Sequence, residues 1–408
     1  MNIRQHKADT NKSLFAPEAR SSAIQQQIEF LQHCIANNVA LDSYLDSIGR
    51  GYDDLSYMIN LEKTKNGTQK ILELTNFSQK NNQIPVVSFF AGAGGLDLGF
   101  EAAGFEHAVL VEKNSLFCET IRHNRPQWSV ESADVSQKDQ MIELLSRYIG
   151  RGQYFDGIFI GGPPCQSFSI AANQRFSKED ENFKRTGFLH EKNGNLLFDY
   201  IELIAYFKPR AFLIENVTGL MDVDSGEQLK KAYRILEEAG YTMNQPMVIK
   251  ADRYSVPQQR VRLFVVGSRK GKIYQPIIPK NHPLAVASVF EKTLIGVDNH
   301  ITRAHSAESV LRYMMLDYGC RDQKGRVDRL NPNDPSKTVI AGGSSGGGRS
   351  HLHPHIPRTL SVRECARIQT FPDDYVFLGA VARQFTQVGN AVPPILAAQL
   401  ANSLLSLL

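Results

Sequence analysis

The sequence predicts an α/β fold: a doubly wound, mostly parallel sheet with helices on both faces, joined by a smaller irregular domain and a helical N-terminal extension. Two observations carry this. From residue 86 onward, short apolar runs rich in aromatic and β-branched residues alternate with helical stretches, at 86–90, 108–111, 155–160, 211–214 and 263–266. That is the rhythm of strand–helix–strand units in a parallel sheet. After about residue 273 it gives way to proline, glycine and scattered arginines, until 361–370 and an apolar helix over 394–408.

The elements follow in order. Ile24, Ile28, Leu31 and Ile35 recur at helical spacing, and Leu41, Tyr44, Leu45 and Ile48 repeat the pattern, so residues 1–84 read as a helical extension. Polar Lys80-Asn81-Asn82-Gln83 then yields to Ile84-Pro85-Val86-Val87-Ser88, where the sheet begins. Its first strand ends in Phe90-Ala91-Gly92-Ala93-Gly94-Gly95-Leu96-Asp97, a glycine-rich turn opening a helix where such sheets bind nucleotides. Gly92 and Gly94 fit the first two positions of a dinucleotide fingerprint, but Asp97 stands where the third small residue belongs. Glu112 lies 18 residues beyond Gly94, the spacing of a carboxylate that accepts from both ribose hydroxyls. Asp134 follows a further short run and could receive an adenine amino group. Each alone also reads as a solvated turn residue or a helix cap. In order on successive strand ends, they point to an adenosine ligand without phosphates.

The run 154–160 has the composition of a buried parallel strand and is stopped by Gly161-Gly162-Pro163-Pro164. The prolines lack N–H donors and have fixed φ, so they build a stiff extended turn that carries Cys165 out of the sheet. Ser167 or Ser169 could cap a following helix, whose dipole would favour the thiolate. An inert, half-buried cysteine is the bland alternative; the setting favours a nucleophile. Glu215 ends the strand of 211–214, beside Cys165 if those strands are neighbours, and is the candidate acid, with a second-layer or capping role as its alternative. Gln258-Gln259-Arg260-Val261-Arg262 enters the last strand, and alternation along it predicts that Arg260 and Arg262 point the same way.

This ordered set resembles the cytosine-C5 DNA methyltransferase family. The resemblance runs from Val86 to about Gly267 and again from about Arg358 to Pro394. It includes the glycine-rich turn, Pro-Pro-Cys-Gln, Glu-Asn-Val, Gln-x-Arg-x-Arg, Arg363-Glu364-Cys365-Ala366-Arg367-Ile368-Gln369-Thr370-Phe371-Pro372 and Gln387-Val388-Gly389-Asn390-Ala391-Val392-Pro393-Pro394. It implies a Rossmann-like, class I methyltransferase sheet over 86–273, a target-recognition domain and junction over 274–384, and a segment 385–408 that returns to the catalytic domain. It implies S-adenosylmethionine as methyl donor, S-adenosylhomocysteine as product and no metal. By position, Phe90, Ala91, Gly92, Gly94, Gly95, Leu96, Glu112, Lys113, Asp134, Val135, Gly162, Pro164, Leu196, Asn390 and Ala391 would contact that donor. Cys165, Glu215, Arg260 and Arg262 would be catalytic, and Gln166, Ser169, Arg175, Gln258 and Arg349 would touch DNA. The expected reaction is methylation of C5 of a flipped cytosine in a short duplex site, protecting host DNA from a cognate restriction endonuclease.

A polar, aperiodic stretch over 170–195 directly after the nucleophile is expected to be a lid that closes on DNA. Sequence recognition is placed between about 274 and 357, with Arg303, Arg312, Arg321, Arg326, Arg329 and Arg349 as candidate contacts; the glycine-rich run 341–348 reads as a linker or a DNA-hugging loop. His351, His353 and His355 alternate, but no acidic or cysteine ligand accompanies them.

Composition bounds the alternatives. With 408 residues the chain can hold two or three domains, and a net charge of +4 permits a polyanionic partner without demanding one. Five cysteines without a CxxC pair argue against a disulfide framework and suit a reducing cytoplasm. The start is polar, and nothing approaches a membrane span. The expected state is a cytoplasmic, nucleoid-associated monomer. A transfer-RNA cytosine methyltransferase would carry a Cys-Phe-Thr segment, which is absent; a silent DNA-binding relative would not need Cys165, Glu215 and Arg262 intact. A nicotinamide oxidoreductase fails on Asp97 and on the Pro-Pro-Cys loop.

Overall fold

The computed structural model describes residues 17–59 (side chains from 22), 72–77, 82–151, 154–164, 196–279, 283–290, 294, 296–341 and 351–408. Two compact units emerge, one from residues 1–67, 301–333 and 348–361, the other from 68–300, 334–347 and 362–408.

The larger unit is the α/β domain. Its strands are β1 (Pro85–Phe89), β2 (Glu106–Glu112), β3 (Val130–Ser132), β4 (Ile158–Gly161), β5 (Ala211–Asn216), β6 (Thr242–Met243), β7 (Met247–Lys250) and β8 (Val261–Ser268). They run in the order β3-β2-β1-β4-β5-β8-β6, with β7 also on β8. The pairs from β3 to β5 are parallel, and β8 is antiparallel to β5, β6 and β7. Strand order reverses between β1 and β4, the crevice where open α/β sheets take their ligands. The strand implied before Asp134 is β3; β6 and β7 were not foreseen, since two to four residues carry too little periodicity to register.

Period-two alternation decides which side of the sheet each residue serves. Val87, Phe89, Phe159, Phe212, Ile214, Leu263 and Val265 enter one core with Leu145, Tyr200, Ile204 and Leu236, from the helices Lys138–Ile149, Leu196–Phe207 and Glu227–Glu238. Val86, Ile158, Ile160, Ala211, Leu213, Phe264 and Val266 enter a second core with Phe100, Ile395, Leu396 and Leu400, from Gly95–Ala102 and Pro394–Leu404. Each fully buried Leu, Ile or Phe stabilises by roughly 1.5–3 kcal/mol, which is why near-continuous apolar runs sit where both faces are covered. The C-terminal helix lies close against Gly95–Ala102: a Cβ on Gly99 would come within 2.3 Å of the Ala397 Cβ.

The smaller unit begins with helices Pro17–Ala36 and Leu41–Ser47. Residues 1–84 do not stand apart as an extension. Phe30, Leu31, Cys34, Leu41 and Leu45 share one apolar cluster with Val310 and Met314 of the helix Ala307–Met314. Residues 274–384, read as one domain, are likewise divided between the two units. The cause is pairing of surfaces distant in sequence, which local periodicity does not reveal. The unit also holds a small sheet in which β10 (Val327–Arg329) pairs antiparallel with β9 (Arg321–Asp322) and parallel with β11 (His351–Leu352).

Three arginines expected at DNA, Arg312, Arg321 and Arg329, are engaged within this unit. Arg329 is fully buried, held between the rings of Tyr57 and Tyr318 at 3.6 and 4.2 Å, with its guanidinium on the carbonyls of Pro354, Ile59 and Leu316. Arg312 pairs with Asp322 at 3.1 Å and Arg321 with Asp328 at 3.5 Å. His353 Nδ1 accepts the amides of His355 and Ile356, a turn-stabilising role. No helix among the described residues is long and apolar enough to cross a membrane.

Candidate active site and cofactor cradle

The C-terminal ends of β4 and β5 build the reactive corner. The two strands are neighbours, with Gly161 opposite Ile214, so the residues after them, Gly162 and Glu215, are brought side by side. A Cβ on Gly162 would lie 3.0 Å from Glu215 Oε2; glycine is what lets the carboxylate sit there. Asn216 donates to the Pro163 carbonyl at 3.3 Å and accepts the Val217 amide at 2.8 Å, tying the Pro-Pro turn to β5. Pro163 is buried and Pro164 exposed, as a chain leaving the sheet requires. Cys165 follows immediately. It lies outside the described residues, as do Gln166, Ser169, Arg175, Arg349, the stretch 170–195 and the run 342–348.

Arg262, on β8, faces Glu215 across the β5–β8 pairing. Nε stands 3.0 Å from Glu215 Oε1, with the two side chains only 19% and 13% exposed, close enough for an ion pair although the angle falls outside hydrogen-bond geometry. A second nitrogen of Arg262 is held by the Val261 carbonyl at 2.8 Å. In a mostly buried pair of this kind the guanidinium can donate to one edge of a planar polar ring and the carboxyl group can exchange a proton with it.

Arg260 lies within electrostatic reach of both Arg262 and Glu215, and the β7–β8 pairing continues through its carbonyl to the Ala251 amide at 2.8 Å, but its guanidinium is taken up by backbone. It is 1% exposed and donates to the Gly389 and Asn390 carbonyls at 3.0 and 3.2 Å. Burial, then the neighbouring Arg262, push its pKa well down. Gln258, expected at the DNA surface, is fully buried: it donates to Gln369 at 2.8 Å and accepts the Val339 amide at 2.9 Å. Its segment bridges to Ser336 as an extended pair, and that pairing takes the side chain inside.

The glycine-rich turn after β1 passes through left-handed conformations at Phe90, Gly92 and Gly94, with φ of 54, 57 and 73°. Phe90 and Ala91 are half-buried, and Phe90 meets Tyr200 edge-on. Glu112, ending β2, accepts the Gly92 amide at 2.9 Å and the Asn114 amide at 2.8 Å. Burial raises its pKa, and those backbone donors oppose the rise. Asp134 holds Lys113 at 2.6 Å and accepts from Ser136. Burial alone would raise its pKa, but Lys113 and Ser136 outweigh it and the carboxyl sits below its ordinary value. Leu196 opens the helix Leu196–Phe207 and is half-buried. Gly95 touches the far end of the chain, since a Cβ there would lie 3.0 Å from Ala391. Asn390 is exposed at the end of the helix Val381–Asn390. Leu96 and Val135 belong to the two cores, which leaves only their backbone for a ligand.

The cradle fits an adenosyl sulfonium better than a dinucleotide. Carboxylates stand at the ends of β2 and β3, the Gly92 amide is already taken by Glu112, and the nearby Lys113 is paired to Asp134. A pyrophosphate would meet negative charge there, whereas hydroxyls and a cation would be welcome. Sequence reading missed the supports beneath. Tyr375 donates to the Ala93 carbonyl at 2.8 Å, and buried Asp97 lies 3.1 Å from His107, which stacks on Trp128. Nothing local announces these contacts, which join residues up to 282 positions apart.

A family model described as C-5 cytosine-specific DNA methylase matches residues 84–406. The chain belongs to that family. Among curated members of this methylase family, it is 33% identical over 364 residues to the Type II methyltransferase M.Eco47II of Escherichia coli, covering 80% of each chain. It is 32% identical over 352 residues to M.Sau96I of Staphylococcus aureus, covering 80% of this chain and 76% of that one. Among solved structures, a protein encoded within an Escherichia coli prophage superposes with a TM-score of 0.65 at 25% identity, over 80% of this chain and 99% of that one. The Entamoeba histolytica methyltransferase EhMeth shares the fold, with a TM-score of 0.58 at 17% identity over 80% of this chain and 98% of that one. The methylase is thus a DNA (cytosine-5-)-methyltransferase on a class I α/β sheet.

Proposed function

We propose that this methylase works on duplex DNA, at a short site, through a covalent adduct between Cys165 and C6 of a flipped cytosine. The observation that carries the reading is the Glu215–Arg262 couple, set 3.0 Å apart on strand ends next to the turn that leads into Cys165. A base within a duplex is out of reach, so the nucleotide must swing out, at a cost of a few kcal/mol. The Cys165 thiolate forms the S–C6 bond, and the C5–C6 π electrons move towards N3 and O2. Glu215 delivers a proton to N3, worth roughly 10²–10⁴ fold as general acid catalysis, while Arg262 holds O2. The Phe90–Gly95 turn, Glu112 and Asp134 would hold S-adenosylmethionine, which would supply an electrophilic methyl group to the C5 made nucleophilic in this way and leave as S-adenosylhomocysteine. Return of the N3 proton to Glu215 and loss of the C5 proton to water then restore the C5–C6 double bond and expel the thiolate. Arg260 is placed here as a positioning residue that fixes the Asn390 turn.

The Type II names of the relatives support a role in restriction–modification beside a cognate endonuclease. Bisulfite sequencing of DNA from cells that express the chain should show one short methylated motif. A duplex carrying 5-fluorocytosine, whose C5 has no proton to lose, should remain joined to the protein. Cys165→Ala should form no such adduct and Glu215→Gln should slow its formation 10²–10⁴ fold; an adduct that survives Cys165→Ala overturns the mechanism.

A further inference from the structure

The hairpin of β9 and β10 is built with unusual rigidity for a four-residue tip. Its Asp322 carboxylate receives Arg312 of the helix Ala307–Met314 at 3.1 Å and the tip amide of Gly325 at 2.6 Å. Arg321 reaches across to Asp328 at 3.5 Å and donates to the Arg326 carbonyl at 3.0 Å. Below, Arg329 is locked between two tyrosines, and Val327 is buried with Tyr313 and Leu352. These clamps hold Arg326 at φ 52°, in the left-handed region that a non-glycine residue rarely adopts. Backbone strain of this kind persists only where its surroundings over-determine it.

Every arginine that braces the hairpin is thereby occupied, while the tip is not. Gln323, Lys324 and Arg326 are exposed, and among the described residues their side chains have no hydrogen-bond or ionic partner. A two-stranded ribbon fits the major groove, where arginine reads guanine through O6 and N7 and glutamine reads adenine through N6 and N7. Rigid support is what a base reader needs and a phosphate contact does not.

We propose that this tip enters the major groove and that Arg326 reads a guanine of the target site, with Gln323 and Lys324 beside it. The inference rests on the duplex-DNA reading above. The test is methylation of a duplex library with randomised sequence, read by bisulfite sequencing, for the unaltered chain, Arg326→Gln and Arg326→Gly. The glycine variant relieves the strained φ, so its hairpin keeps its shape. The unaltered chain should methylate one motif. Both variants should lose about 5- to 150-fold of discrimination at one base pair, through a matching fall in methylation of sites with the preferred base, while sites carrying another base there keep their rate. A uniform loss at every site, with the salt slope of binding reduced by about 1, marks a phosphate contact and overturns the proposal. An unchanged motif overturns it too. If the unaltered chain leaves the duplex library unmethylated but methylates another nucleic acid, the duplex reading itself fails and the hairpin proposal falls with it.

Discussion

Charged side chains in this protein separate by what surrounds them rather than by type. Arg262 keeps about a fifth of its side chain exposed against Glu215 (19%), whereas Arg260, two positions earlier, is sealed against two backbone carbonyls. Asp199 is a third case, in the first turn of the helix Leu196–Phe207, where burial, then the charges of Glu202 and Asp134, push its pKa from 3.8 to about 6 against the opposing pull of Lys138. A raised carboxyl pKa means that the fold disfavours the ionised form. Well below pH 3.8 the group is neutral in both states and contributes nothing; from there to about 6 stability falls as pH rises, and the loss is complete above that. Asp199→Asn should therefore leave the melting temperature nearly unchanged at about pH 3 and raise it at pH 7. After discounting for solvent screening the gain should be about 1 kcal/mol, or 2–4 °C by calorimetry. An equal gain at both pH values would exclude an ionisation effect.

Strand ends, more than any single residue, hold the reactive corner together. Gly162 matters because β4 and β5 run parallel and in register, so a side chain there strikes the Glu215 carboxylate. Gly162→Ala should displace Oε2 by a few tenths of an ångström and lower the single-turnover methylation rate by about tenfold, with DNA affinity kept. A rate equal to that of the unaltered chain would show that the Glu215 position is not critical. Much of this corner was legible in the sequence. The apolar run into Gly161, the Pro-Pro turn and the carboxylate after 211–214 are local patterns, and parallel neighbours with the same alternation leave few registers. The burial of Gln258 and the backbone partners of Arg260 were illegible for the opposite reason, since they are set by residues about 80 to 130 positions away.

At the scale of the whole molecule, the sheet domain was readable because its longer central strands announce themselves by composition. The division into units was not. Helices Pro17–Ala36 and Ala307–Met314 share a core though nearly 300 residues separate them in the chain. Leu31, fully buried in that core, supports the helix from which Arg312 braces the β9–β10 hairpin. Leu31→Ala should cost about 2–5 kcal/mol locally. Hydrogen exchange should then speed up in 307–329 while the amides of β1 and β5 keep their protection; protection lost equally in both units would mean that they unfold as one.

The interleaving also sets a clock. During synthesis at about 5–20 residues per second, Leu41 and Leu45 emerge well before Val310 and Met314, the partners that cover them. For roughly 13–55 seconds the N-terminal helices must wait with an apolar face uncovered. Their exposure to chaperones and to sticking is thus governed by how fast the ribosome translates the sheet domain between.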